Sequence, residues 1–591
     1  MLNSYYNFIY WEGINMTNTS RRNMLKLSLQ AAGAGIVTSQ QVFGAGTLAG
    51  NLCTPGDLSL AEDDPGSHDF NLSPFADPLP IIPVAQPIHF PLDPPIDPAR
   101  HQRYSEFLPQ KTYIQVLREF DHQYHSGLPF TTKVWGFNGN VPGETFHARY
   151  GEPLLIRRYN QLPADHVGFA LPSFTTHLHN LHHASESDGM PWDWVDHGFF
   201  WDYHHVNAPA GGDPLQKQTT QWYHDHRMDF TATNVYMGLT GFYLLFDNQD
   251  TGNEHDHNPG AFRLPSGKYD VPMILHDISL GEDGQLYLSQ DTNGFLGRYY
   301  TVNRKITPFL EVEPRKYRFR FLNGGPSRFY ELGLRSDLLF KVIANDGNLL
   351  PKPVTADTIQ LSVAQRFDVI VDFSQYQPGA SIVLENLMEQ LRGEGPTGRK
   401  FAKGEGDPIM EFRVIPLTGP DKSRVPNQLR ALPKINLKEV KQERLFKFDY
   451  FGGMWTVNGL GFDMDRMDAY IEQGSAEIWT IRNGGTRWEH PIHIHFEEFQ
   501  ILEFNGKPLK ESDVNNSRKD VLTLGPGDEV KLFFHFRDFL GCHVMHCHNV
   551  VHEDHTMMIH WHIDPPKHGP VLGSIIEPRP VMRLGTPPAG F

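Results

Sequence analysis

The stretch "GCHVMHCHNVVHEDHTMMIHW" occupies residues 541–561 and carries six histidines and two cysteines. His546 and His548 flank Cys547, while His552 follows the cysteine by five positions and Met557 by ten. On a β-strand successive side chains face opposite sides, and residues two apart share a side. Cys547 therefore faces one way while His546 and His548 face the other. A single thiolate joined by two imidazoles and a distant thioether is the ligand set of a blue copper site, whereas imidazole alone suits copper, zinc, iron or nickel. The stretch reads as a strand with a metal site on each side, the two joined through the backbone.

Three more blocks carry the same signature. "THLHN" supplies His177 and His179, "WYHDH" supplies His224 and His226, and "HPIHIH" supplies His490, His493 and His495. Each His-x-His pair on a strand sets two imidazoles side by side. One such pair is a weak signal, because neighbouring surface histidines are common. Four blocks in order, one with a cysteine between two histidines, are specific.

The rest of the chain fits a strand-rich frame. Its 591 residues exceed one ordinary core, and 45 prolines and 53 glycines separate many short Val, Ile, Phe and Tyr runs. Lys and Arg total 52 against 69 Asp and Glu, a net charge of -17, which excludes the basic face of a nucleic-acid binder. With three cysteines, Cys53, Cys542 and Cys547, against 31 histidines, the chain is no disulfide scaffold.

The N-terminal "SRRNMLKLSLQAAGAGIV", residues 20–37, pairs Arg21 with Arg22 ahead of a short, weakly apolar run. It resembles a twin-arginine export signal with Met24 where Phe is usual, so residues 1–45 are expected to be a leader and the protein periplasmic or extracellular. The run is too short for a stable membrane anchor. Residues 46–104 include "LSPFADPLPIIPVAQPIHFPLDPPIDPAR", a Pro-rich arm expected to lie extended across a surface.

The ordered blocks HxH, HxH, HPxHxH and HCHxxxHxxxxM are similar to those of the multicopper oxidases. The resemblance spans most of the chain. "VWGFNGNVPGETFHARYGEPLLIRRYNQLP" at 134–163 looks like a first cupredoxin domain, and "EPRKYRFRFLNGGPSRFYELGL" with "SVAQRFDVIVDFS" looks like a second domain of the bacterial laccase, bilirubin oxidase and phenoxazinone synthase branch. It implies an all-β protein of three consecutive Greek-key sandwiches, at 105–250, 251–425 and 426–591, the middle one without copper.

For the site, the resemblance implies four copper ions. His490, Cys547 and His552 would hold the type 1 copper with Met557 as axial ligand, and His177 and His493 the type 2 copper. His179, His224, His226, His495, His546 and His548 would hold the type 3 pair. Asp188 and Glu553 would stand near this trinuclear cluster and supply protons. The expected partners are dioxygen and a small organic donor of the phenol, aminophenol or tetrapyrrole kind. Mn(II) or Cu(I) oxidation is the alternative, and 16 methionines without a Met-rich block count against Cu(I). A non-enzymatic copper carrier is a remote third reading.

The first block, "HLHNLHHASESDG", departs from that branch at Asn180, where Gly is usual, and is followed by an insert, "MPWDWVDHGFFWDYHHVNAPAGGD" at 190–213. The insert is expected to pack as a loop, with His182, His183, His204 and His205 as surface histidines lacking a fixed partner. Trp488, two residues before His490, is expected on the same strand face, shaping donor approach. The sequence sets no oligomeric state.

Overall fold

The computed structural model describes residues 66–289, 291–576 and 582–591. The twin-arginine motif and the first part of the Pro-rich arm lie outside them. Three cupredoxin-like β-sandwiches follow one another, built from six sheets, with two short α-helices, Thr231–Met237 and Val550–Asp554, among the described residues.

In the first sandwich, a five-stranded sheet contains Lys111–His122, Leu154–Asn160 and Phe199–His205. A four-stranded sheet runs Gly143–Arg149, Thr240–Phe246, Thr220–Asp225, Thr176–His179. The second sandwich packs an eight-stranded sheet on a five-stranded one between Asp270 and Val414. The third pairs a six-stranded sheet with a five-stranded one ordered Ala469–Glu472, Met558–Asp564, Gly541–Cys547, His490–Ile494, Val521–Leu524. The strand that carries Cys547 is thus central, with a neighbour on each side.

Strand Lys316–Asn323 shows how a sequence of this kind holds sandwiches together. Its Tyr317, Phe319 and Phe321 alternate into the second core. The opposite side carries Arg318 and Arg320, which are also buried: Arg318 meets Asp368 at 2.6 Å and Asp250 at 2.8 Å, and Arg320 donates to Thr220 Oγ1 at 2.6 Å. Guanidinium groups taken out of water need such multiple partners. The contacts fix the second sandwich against the strand that presents His224.

The described part of the Pro-rich arm runs along the sandwiches. Leu79 N donates to the Phe309 carbonyl in the second sandwich at 2.7 Å, and Ala85 N to the Thr145 carbonyl in the first at 2.9 Å. At the other end of the chain, Arg583–Leu584 pairs antiparallel with Phe199–His205.

Two expectations for 177–213 are corrected. The insert is not merely a packed loop, because Phe199–His205 is an internal strand whose Trp201 and Tyr203 enter the first core. His182, His183, His204 and His205 are not surface residues: each is at most 5% exposed and each has a partner. His182 Nε2 meets Asp538 at 2.8 Å, His204 Nε2 meets the Phe107 carbonyl at 2.7 Å, and the two Nδ1 atoms of His183 and His205 lie 3.1 Å apart. The aromatic residues Phe200, Trp201 and Tyr203 hold this segment in the sheet, and its histidines are buried with it. Asn180 has φ +62, the left-handed conformation that Asn tolerates, which accounts for its standing in a glycine position.

Candidate metal centre

Four strands or strand ends bring the histidines together. His177 pairs in register with His224 across Thr176–His179 and Thr220–Asp225, and His493 pairs with His546 across His490–Ile494 and Gly541–Cys547. The first pair belongs to the first sandwich and the second pair to the third. Their rings interleave: His177 stacks on His495 at 3.8 Å, and His179 on His493 at 3.6 Å.

Within this buried cluster, three groups of imidazoles converge with their ligand atoms inside 4.8 Å of one another. They are His177, His493 and His495; His177, His179 and His224; and His226, His495 and His546. His548 completes the set, its ring 5.2 Å from that of His224 and 5.3 Å from that of His179. It is 1% exposed, and neither of its ring nitrogens meets a hydrogen-bond partner. Burial of an unpaired polar atom is costly, and a metal ion at these nitrogens would remove that cost.

A second layer orients the rings. Backbone carbonyls take Nδ1 of His177 (Asp188, 2.6 Å), His224 (Asp225, 2.8 Å) and His493 (Asp520, 2.9 Å), leaving each Nε2 for the interior. His179 is turned the other way. Its Nε2 meets Asp520 at 3.0 Å and its Nδ1 faces His224. Carboxylates flank three more rings: Asp188 meets His495 Nδ1 at 2.8 Å, and Glu553 lies 2.9 Å from His546 Nδ1 and 3.3 Å from His226 Nδ1. Such partners fix tautomer and ring orientation and raise ligand basicity.

The electrostatics suit metal binding. Burial, together with mutual repulsion, lowers His179, His224, His226, His493, His495 and His548 well below the usual imidazole value, so they stand neutral as ligands must. Burial alone would raise Asp188, yet His177 and His495 beside it hold its carboxyl well below the ordinary range. Asp520 goes the other way: burial lifts it to about 7 despite the Arg366 guanidinium.

On the opposite side of the strand, the Cys547 thiol is fully buried, with His490 Nδ1 at 3.4 Å and His552 Nδ1 at 3.6 Å. Met557 and Met558 are sorted by their packing. Met557 lies in the apolar cluster that contains Cys547, whereas Met558 packs with Met190, Trp192 and Val544 elsewhere. No carboxylate approaches this thiol group within hydrogen-bond reach among the described residues. Instead His552 Nε2 lies 3.0 Å from the Asn293 carbonyl and 3.2 Å from the Asn549 amide, and Trp455 stacks on His552 at 3.8 Å. Glu489, next to His490, is raised to about 7 by burial and by Asp528, and its side chain makes no hydrogen bond or ion pair among the described residues.

The structure therefore brings together all twelve residues named as ligands from the sequence, on the two sides expected. Asp188 and Glu553 both touch ligand imidazoles. Trp488 does not sit on His490, because the strand begins only at His490 and the two-residue period does not reach back. Trp488 meets Trp455 edge-on at 4.8 Å, and it is Trp455 that covers the ligand rings. Sequence reasoning missed Asp520, Arg366, Asn293 and Trp455. Asp520 is 25 residues from its nearest His block and carries no motif; only the pairing of His493 with Val521 places it.

Residues 121–250, 279–397 and 434–567 each match the family description "Multicopper oxidase", together more than half of the chain. A bilirubin oxidase of Albifimbria verrucaria is 34% identical over 506 residues, covering 82% of this chain and 80% of that protein. A laccase of Bacillus subtilis is 32% identical, covering 76% of this chain and 94% of its own. Among solved structures, a multi-copper oxidase from Pediococcus acidilactici superposes with a TM-score of 0.67 at 25% identity, covering 85% of this chain and 97% of that one. Segment matches, relatives aligned over most of their length, and buried histidine and cysteine clusters fit for copper agree: the chain belongs to the multicopper oxidase family and is a copper-dependent oxidoreductase that couples oxidation of its donor to dioxygen.

Proposed function

We propose that the protein is a laccase-like oxidase that takes single electrons from phenolic, aminophenolic or tetrapyrrole-type donors and reduces dioxygen to water. The observation that carries the reading is the division of one strand. Cys547 faces His490 and His552, while its neighbours His546 and His548 face the buried imidazole cluster. On this reading His490, Cys547, His552 and Met557 hold a type 1 copper, and His177 and His493 a type 2 copper. His179, His224, His226, His495, His546 and His548 hold a type 3 pair. Copper, when bound, supplies the one-electron steps and the activation of dioxygen.

The chain supplies the rest. The Cys547 backbone joins the thiolate to His546 and His548 by the shortest covalent path available. Asn293 and Trp455 keep His552 in place and exclude water from the thiol. Glu553, fixed by Thr231 Oγ1 at 2.9 Å, holds and moves a proton at the carboxyl oxygen facing His546 Nδ1. Asp188 serves the His177 and His495 side. Gly189 after it has φ +76, and a Cβ there would stand 2.3 Å from the Thr176 carbonyl, so this turn cannot carry a larger residue without displacing the strand that bears His177.

The relatives named a bilirubin oxidase and a laccase support the organic-donor class. Steady-state rates on a phenol, an aromatic diamine, bilirubin, Cu(I) and Mn(II), side by side on copper-loaded protein, test it. A preference for either metal ion by kcat/KM would replace this reading. Export by the twin-arginine route is part of the proposal and rests on Arg21 and Arg22. Retained translocation of an Arg21→Lys, Arg22→Lys double variant would count against it.

A further inference from the structure

A cavity of about 580 Å³ lies between the second-sandwich strand Thr358–Leu361 and the third-sandwich strands Phe499–Phe504 and Val521–Leu524. That volume is in the range of small-molecule sites, which favour domain interfaces. Glu489 lines it, one peptide bond from His490.

The charges around the cavity do not balance. Its two lysines are already matched, Lys400 with Glu331 at 2.6 Å and Lys519 with Asp346 at 2.6 Å. Asp528 accepts only neutral donors, Asn505 Nδ2 at 2.7 Å and the Gly525 N–H at 2.9 Å. Glu489 has no partner among the described residues. A part-exposed carboxyl group on the cavity wall that no cation matches is open to a cationic ligand, whose charge it would complement. The remaining lining supplies apolar and aromatic surface, including Ile501 and Phe504. Tyr330 also lines the cavity, and its buried hydroxyl meets no hydrogen-bond partner.

We propose that this cavity binds a small aromatic cation, an arylammonium or protonated aromatic diamine, with its charge at Glu489 and Asp528 and its ring against the apolar wall. The site is separate from the aromatic face formed by Trp455 and Trp488 over His552. That it would present a donor to the type 1 centre rests on the reading of His490 given above; the binding itself does not.

Calorimetric titration of the full-length, copper-loaded protein with benzylammonium, which is redox-inert, tests the binding directly. The expected result is saturable binding, weakened about tenfold or more when benzyl alcohol replaces the cation, and weakened to the same extent in Glu489→Gln. Ile501→Trp, which fills the cavity, should abolish it. Gln360→Lys, at an exposed lining position, should weaken it without touching the core. The blue thiolate absorption, recorded on each sample, reports the type 1 assignment independently, so loss of that band and loss of binding are distinguishable failures. Equal binding of cation and alcohol, unchanged binding in Glu489→Gln and Gln360→Lys, or binding of Mn(II) with none of benzylammonium would overturn the proposal.

Discussion

The imidazole cluster and the cysteine site share the strand Gly541–Cys547, yet they are held in place by opposite chemistry. Three carboxylates, Asp188, Asp520 and Glu553, reach ligand rings in the cluster. Around Cys547 the supports are neutral: the Asn293 carbonyl, the Asn549 amide and the Trp455 indole. A centre that gathers several cations and consumes protons gains from nearby anionic groups that can hold them. A centre that only passes electrons through a soft thiolate is tuned by a dry, apolar surround. The source of the supports differs too. Asn293 belongs to the middle sandwich, which holds the cysteine site from outside.

The harshest way to separate the two regions is to remove a cluster ligand. His495 takes part in two of the converging groups and stacks on His177. In His495→Ala, dioxygen consumption should fall to background while the thiolate absorption stays. A parallel loss of the blue band would mean that the two sites do not stand independently.

Next in size is Glu553→Gln, which keeps shape and hydrogen bonding but cannot ionise. Turnover should drop by roughly 10²–10⁴-fold, the usual contribution of a general acid or base, with copper content and colour unchanged. Wild-type turnover in both Glu553→Gln and Asp188→Asn across the pH range would reduce these carboxylates to structural props.

Asp520 gives a smaller effect, on binding. Its carboxylate receives Arg366 at 2.6 Å through both oxygens and holds His179 Nε2. Asp520→Ala should weaken copper in the imidazole cluster by roughly 10–100-fold, as loss of an outer-shell partner does, and leave the thiolate copper untouched. Competition with a chelator, followed by the two signals separately, measures this.

Least of all should come from Trp488→Ala. Since the indole touches no ligand ring itself but meets Trp455 edge-on and donates to Asn293 Oδ1 at 3.2 Å, the expected change is a few-fold in KM for bulky organic donors, with kcat on small ones preserved. An equal loss toward every donor would indicate that Trp488 merely stabilises the packing around Trp455.

The sequence displayed the histidines that the fold gathers because a strand repeats every two residues and a metal needs its donors adjacent. His177 with His179, or His546 with His548, carries that period within three letters. The supports were illegible for the same physical reason. Asp520 reaches His179 across two sandwiches, Arg366 arrives from a third, and Asn293 offers a backbone carbonyl that any residue type could offer. That the chain is strand-rich was readable from turn-punctuated apolar runs, and the three-sandwich architecture came from the family resemblance, yet Phe199–His205 was read as part of a packed loop. Its alternation of Phe200 with Asp202 and Trp201 with Tyr203 was the signal, and only pairing with Leu154–Asn160 makes it decisive.

The division of labour between the two sides of one strand is most directly tested by counting copper in Cys547→Ser. Serine oxygen is a poor partner for the metal a thiolate selects, whereas His546 and His548 on the other side are unchanged. The wild-type protein should hold four copper ions per chain and show the intense blue absorption. The variant should hold three, colourless in that band and without oxidase activity. A variant that stays blue, or one that loses the copper of the imidazole cluster along with its own, would contradict the account.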